Sequence, residues 1–155
     1  FNRKGILKWI EINGNLQDMK ALYKVGDQKT FQKTVDVQDI AQFESGTVHN
    51  VYGTFALGRD AEWSSRLFVL DMKEADEEGI GTFLNIEHQS PALIGQTVTF
   101  TATITLLEKN SIHCKVIASV DNRVIANCST GQKIIKKDKL ENLFQQIAHS
   151  WVQKP

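Results

Sequence analysis

Residues 54–73, TFALGRDAEWSSRLFVLDMK, decide the fold. Leu57, Ala61, Phe68 and Met72 recur at helical spacing and form one apolar stripe, with Leu67 and Leu70 beside it. The pattern predicts a helix from Phe55 to about Lys73. Thr54 stands where an N-cap belongs, and Asp76, Glu77, Glu78 and Gly79 supply charge and a glycine stop. So apolar a stripe has to be covered by another layer of structure.

The cover comes from both sides of the helix. Ahead of it, Thr30 to Val37 alternates polar and apolar residues and reads as a half-buried strand. Residues 38–53 hold no strong period and read as loop or short helical turns. After the helix, Gly81 to His88 reads as a strand, stopped by Ser90-Pro91. Thr97 to Leu107 is rich in β-branched residues. Strands follow at Ile112 to Val120 and Val124 to about Lys136, joined by a turn at Asp121-Asn122. Asp138 and Glu141 form a capping-box pattern, and Leu140, Leu143, Phe144, Ile147, Ala148 and Trp151 give the helix over 138–152 an apolar face. Leu16, Met19, Leu22 and Tyr23 suggest a short helix inside an N-terminal extension, residues 1–25.

This is an α+β pattern: an antiparallel sheet of four or five strands wrapped around one long central helix, with an added C-terminal helix. No repeat or linker divides residues 1–155, so one domain is expected. A sheet of this kind has open edges, which dimerisation covers.

Composition narrows the function. Eighteen basic and eighteen acidic residues cancel, so no positive excess calls for nucleic acid or a membrane surface as partner. Lys133, Lys136, Lys137 and Lys139 form the one dense basic run and read as a solvated strand end. No apolar run approaches a membrane span, which predicts a soluble chain. A hairpin turning at Asp121-Asn122 sets Cys114 opposite Ser129 and points Cys114 and Cys128 to opposite sheet faces, which disfavours a disulfide. Two unpaired thiols predict a reducing, cytoplasmic setting. His49, His88, His113 and His149 lack metal-ligand spacing, and no zinc cysteine pair, phosphate-binding glycine loop or Gly-x-Ser-x-Gly elbow occurs. No metal or other cofactor is expected.

The order of elements resembles the hotdog fold. Gly53-Thr54, Glu62-Trp63, Gly81-Thr82, His88, Pro91, Gly95 and Thr97-Val98-Thr99 stand at intervals that resemble the fluoroacetyl-CoA thioesterase group of hotdog enzymes. The likeness runs from about Val25 to Phe144. It implies hydrolysis of acyl-CoA thioesters, a homodimer, and a catalytic set of threonine, glutamate and histidine on Thr54, Glu62 and His88, with a substrate-binding glycine on Gly81. The helix departs from the specialised enzyme in carrying Arg59, Asp60, Ser64 and Ser65. Those residues, and a first stretch of about twenty residues with no counterpart, argue against a fluorinated substrate.

The residue types suit that chemistry. A partly buried glutamate can activate water or attack the carbonyl to form an anhydride. A histidine can return a proton to the leaving thiolate. A threonine at a helix start can orient a water, or simply cap the helix. Gly81 admits close backbone approach, and its N–H could hold an oxyanion together with helix N-terminal N–H groups near Phe55 and Ala56. It reads equally well as a plain strand glycine. A hotdog domain that binds acyl-CoA or another acyl ligand without cleaving it remains the alternative.

Overall fold

The computed structural model describes residues 20–152. In chain order it holds β1 (Gln28–Thr34), a 3-10 turn (Val37–Asp39), β2 (Ile40–Phe43), β3 (Gly46–Tyr52) and α1 (Thr54–Met72). Then come β4 (Glu77–His88), β5 (Thr97–Glu108), β6 (Ser111–Val120), β7 (Arg123–Lys136) and α2 (Lys137–Val152). Five strands form an antiparallel sheet in the order β1-β5-β6-β7-β4, and β2 pairs with β3 as a separate hairpin. The sheet curls around α1, the α+β layering that the apolar stripe requires.

Alternation builds the interface. On β5, Val98, Phe100, Ala102 and Ile104 face inward, and on β6 Ile112, Cys114, Val116 and Ala118 do the same. They meet Leu57, Ala61, Phe68, Val69 and Met72 of α1. Each large aliphatic or aromatic side chain so buried contributes about 1.5–3 kcal/mol. Tyr23 packs edge-on to Phe68 at 4.9 Å, and its hydroxyl donates to Asp71 at 2.5 Å.

Several expectations change. Residues 38–53 hold the 3-10 turn but also the β2–β3 hairpin, whose register slips on either side of Ala41 and hides its period. The helix stops at Met72, not at a glycine. Glu77 accepts from the Glu74 N–H at 2.8 Å while its own N–H donates to the Glu74 carbonyl, a local turn that competes with further helix. Glu77, Glu78 and Gly79 therefore belong to β4. Gly79 is small because Val69 crowds it, with a methyl 2.4 Å from where a Cβ would sit. Asp138 lies inside the first turn of α2 rather than ahead of it, because the helix begins at Lys137. Leu140 and Leu143 of α2 are buried, while Phe144 and Trp151 stay exposed. Lys20 to Tyr23 are not helical, and residues 16–19 of the expected short helix lie outside the described residues. Lys136 pairs with Asp76 and Glu77, so part of the basic run ties β7 to the start of β4.

The cysteines also need correction. Ser119 pairs with Val124 but Ala118 pairs with Ala126, so Ile125 is an extra residue on β7. That bulge shifts the hairpin register by one. Cys114 therefore faces Thr130, Cys128 faces Val116, and both thiols lie buried on the same, helix-covered face, unbonded. Burial pushes the Cys114 thiol up to about 12 and that of Cys128 to about 11. At pH 8 the native protein should resist alkylation by iodoacetamide, and both thiols should react once it is unfolded. Rapid labelling of the native chain would contradict this burial.

Candidate active site

Helix α1 and strand β4 run antiparallel to each other and carry the candidate residues at two stations. At the first, the N-terminal end of α1 meets the C-terminal end of β4. Gly53, not Thr54, is the N-cap. A Cβ on Gly53 would lie 3.1 Å from backbone atoms of Ile40 and Ala41, so any larger residue would press the hairpin back by a few tenths of an ångström. Its N–H donates to the Asp39 carbonyl at 2.8 Å. Thr54 becomes the first helical residue, its hydroxyl is not spent on capping, and it sits 3.2 Å from Nδ1 of His88. The other ring nitrogen, Nε2, is buried and has no hydrogen-bond partner among the described residues.

At the second station Glu62 faces Gly81. The half-buried carboxylate lies so close to the strand that a Cβ on residue 81 would come within 2.5 Å of Oε1. Only a glycine gives the carboxylate that seat. Eight residues separate Thr54 from Glu62, about 12 Å along the helix axis. One chain thus brings Thr54 to His88 and Glu62 to Gly81, with Gly58 packed on Leu84 and Ile86 between them.

The first station depends on a bulge that composition does not announce. Gly81 pairs with Gln132 and Phe83 with Gly131, leaving Thr82 as an extra residue. Before it, the odd-numbered Gly79 and Gly81 face α1; after it, the even-numbered Leu84, Ile86 and His88 do. Strict alternation would turn His88 away from the helix. Phe83 folds over Gly131, where any Cβ would collide with its ring.

Charge fixes the helix start. Asp39, 2% exposed, accepts from Arg59 at 2.8 Å and from the Asp36 N–H at 3.0 Å, and pairs with Lys33 at 2.9 Å. Burial alone would raise its carboxyl, but the Arg59 and Lys33 bonds more than reverse that and hold it below the usual range. Asp60, also buried, accepts from the Tyr52 hydroxyl at 2.5 Å and from Arg59 through two nitrogens at 2.9 and 3.0 Å. This network locks the 3-10 turn and β3 to the first turns of α1. Sequence reading singled out Arg59 and Asp60 only as departures and missed Asp39. A structural role for the two buried carboxylates shows only once residues twenty apart meet.

Among the described residues no group of His, Cys, Asp or Glu is arranged to hold a metal ion, and no helix is long and apolar enough to cross a membrane.

An antiparallel sheet wrapped around one long central helix is the hotdog fold of the thioesterase superfamily. The chain belongs to the fluoroacetyl-CoA-specific thioesterase family, whose model matches residues 35–138. Among solved structures, a Thermus thermophilus hypothetical protein, a thioesterase superfamily member, is 30% identical. It aligns over 84% of this chain and 97% of that one, with a TM-score of 0.79. A hot-dog-like protein from Thermanaerovibrio acidaminovorans is 20% identical over 81% and 93% of the two chains, TM-score 0.74, and shares the fold. So does a variant of the fluoroacetyl-CoA-specific thioesterase solved with fluoroacetate and CoA, 21% identical over 76% and 99%, TM-score 0.68. No curated relative matches the sequence.

Proposed function

We propose that the protein hydrolyses acyl-CoA thioesters, with Glu62 as base or nucleophile, His88 as its acid–base partner and Thr54 as the orienting hydroxyl. The observation that carries this is the Thr54–His88 contact with a buried, unpartnered Nε2 behind it. A buried ring nitrogen without a partner is costly, and that cost favours a functional over a packing role for His88. Glu62 takes a proton from water, or attacks the thioester carbonyl and is then released by water. The tetrahedral oxyanion meets the Gly81 N–H and the free N–H groups of the first turn of α1. His88 returns the proton to the CoA thiolate. No cofactor enters the scheme. The relative solved with fluoroacetate and CoA supports CoA as the handle. Free, buried cysteines suit a cytoplasmic setting.

The working unit is a homodimer. Among the described strands β4 is a sheet edge, whose outer backbone groups have no strand partner. Phe55, Trp63, Leu70 and Leu84 stand exposed along α1 and that edge, a patch suited to a second copy. A two-fold axis between the two stations pairs β4 with β4 and sets Glu62 and Gly81 of one copy against Thr54 and His88 of the other. Each site is then composite, and the 12 Å gap within one chain, roughly two turns of helix, is no obstacle. In solution the protein should run at twice its 17.5 kDa chain mass. A monomer at micromolar concentration would contradict the composite site.

Free thiol measured with acetyl-, hexanoyl- and lauroyl-CoA tests the activity. Release from at least one supports hydrolysis. Tight binding of all three without thiol release would replace it with the acyl-binding reading. Gly81→Ala offers a second check. The clash it creates is with the far end of a flexible side chain, so the fold should lose less than about 1 kcal/mol. The Glu62 carboxylate, however, has to leave its seat, and turnover should fall at least about tenfold. Wild-type turnover in Gly81→Ala would remove Gly81 from the site.

A further inference from the structure

We propose that Gln132, acting with Ser65 and Thr130, is a positioning residue that holds the Glu62 carboxylate over Gly81. This rests on the reading of Glu62 as the reacting group. Gln132 lies on β7 directly opposite Gly81 on β4. It is 1% exposed, and Ser65 and Thr130 beside it are also buried, in an interface built mostly from aliphatic and aromatic side chains.

The bonds run from the sheet to the main chain of the Glu62 turn. Ser65 Oγ accepts from Thr130 Oγ1 at 2.8 Å and from Gln132 Nε2 at 3.1 Å. It donates its one proton to the Glu62 carbonyl at 2.9 Å. Gln132 Nε2 also reaches that carbonyl, at 3.4 Å. The amide orientation follows from these partners. A carbonyl acceptor and a hydroxyl whose proton is already committed both require the NH2 end. Ser64 differs, since its hydroxyl bonds back to Ala61 within the helix and crosses to nothing. Ser65, Thr130 and Gln132 thus tie the one helical turn that carries Glu62 to the strand beside Gly81.

Stability does not explain the cluster. Gln132 Oε1 is buried without a partner among the described residues, at a cost of about 1–3 kcal/mol that a leucine of similar shape would avoid. A buried polar group that breaks a local rule without a stability gain marks a functional constraint. Here the constraint is the height and rotation of the Glu62 turn over Gly81. It also gives a role to Ser65, a departure from the expected apolar helix surface.

Gln132→Leu tests the idea, with Ser65→Ala as a gentler second variant should the leucine perturb folding. Thiol release is followed with whichever of acetyl-, hexanoyl- and lauroyl-CoA wild type cleaves fastest. Gln132→Leu should keep or raise the melting temperature, lower kcat at least about tenfold and leave KM within about twofold. Ser65→Ala should move kcat in the same direction. In a Glu62→Gln background the Gln132→Leu change should cost nothing further, because it acts through a group already removed. Wild-type kcat in both Gln132→Leu and Ser65→Ala, or an equal loss in the Glu62→Gln background, would overturn the proposal. Glu62→Gln at full activity would instead defeat the underlying reading of Glu62. An inactive Glu62→Gln beside normal Gln132→Leu and Ser65→Ala would defeat the positioning role alone.

Discussion

Glu62→Gln is expected to lower kcat for acyl-CoA hydrolysis by about 10²–10⁴, the usual worth of a positioned general base, and by more if the carboxylate is the nucleophile. The amide keeps the shape of the side chain, so its seat against Gly81 and the fold remain. What goes is the ability to take a proton from water or to form an anhydride. KM should change little, because the carboxylate acts on the reacting carbon rather than on the CoA handle. The two roles separate by mass spectrometry. A nucleophile leaves an acyl adduct on Glu62 in a slow variant such as His88→Ala, and a base leaves none. Unchanged turnover in Glu62→Gln would remove Glu62 from the chemistry.

The second large effect is on stability. Arg59 is the shared partner of two buried carboxylates, Asp39 and Asp60. Arg59→Met keeps the stem and removes the charge. Breaking a buried pair usually costs 3–5 kcal/mol; Arg59 is itself half exposed and Lys33 and Tyr52 remain, so about 2 kcal/mol is expected here. For a chain of this length that lowers the melting temperature by about 4–8 °C. The sign of the pH dependence follows from Asp39. Its folded carboxyl is held below the usual range. Its contribution is therefore complete above the unfolded value of about 3.9 and is lost as pH falls through the folded one. The gap between wild type and Arg59→Met should be widest near pH 7 and close toward pH 3. A gap independent of pH would show that Arg59 matters for packing and not for charge.

Local pattern carried much of the architecture. The stripe of Leu57, Ala61, Phe68 and Met72 predicts the central helix because a 3.6-residue period needs no distant partner to be seen. β-Branched alternation does the same for β5 and β6. What escaped depends on pairs remote in sequence. The β2–β3 hairpin hides behind its register slips. One extra residue at Ile125 moves both cysteines to the same face, and one at Thr82 turns His88 toward the helix. Thr54 looks like a cap until the closeness of β2 hands that place to Gly53.

The site shows the same division. Thr54, Glu62, Gly81 and His88 are candidates by their intervals and their likeness to a thioesterase group, and the fold pairs them in twos. Gln132 and Asp39 are not legible, because a glutamine in a strand and an aspartate before a loop are ordinary until their burial is known. Their signal is energetic: polar groups kept inside at a cost.

Complementation between two inactive variants tests the composite site most directly. Glu62→Gln and His88→Ala chains are unfolded together, refolded as a mixture and assayed for thiol release. If each site takes Glu62 from one copy and His88 from the other, every mixed dimer holds one intact site, and the mixture should recover about a quarter of wild-type activity. If no activity returns while mixed dimers are shown to form, the two stations act within one chain and the composite site is wrong.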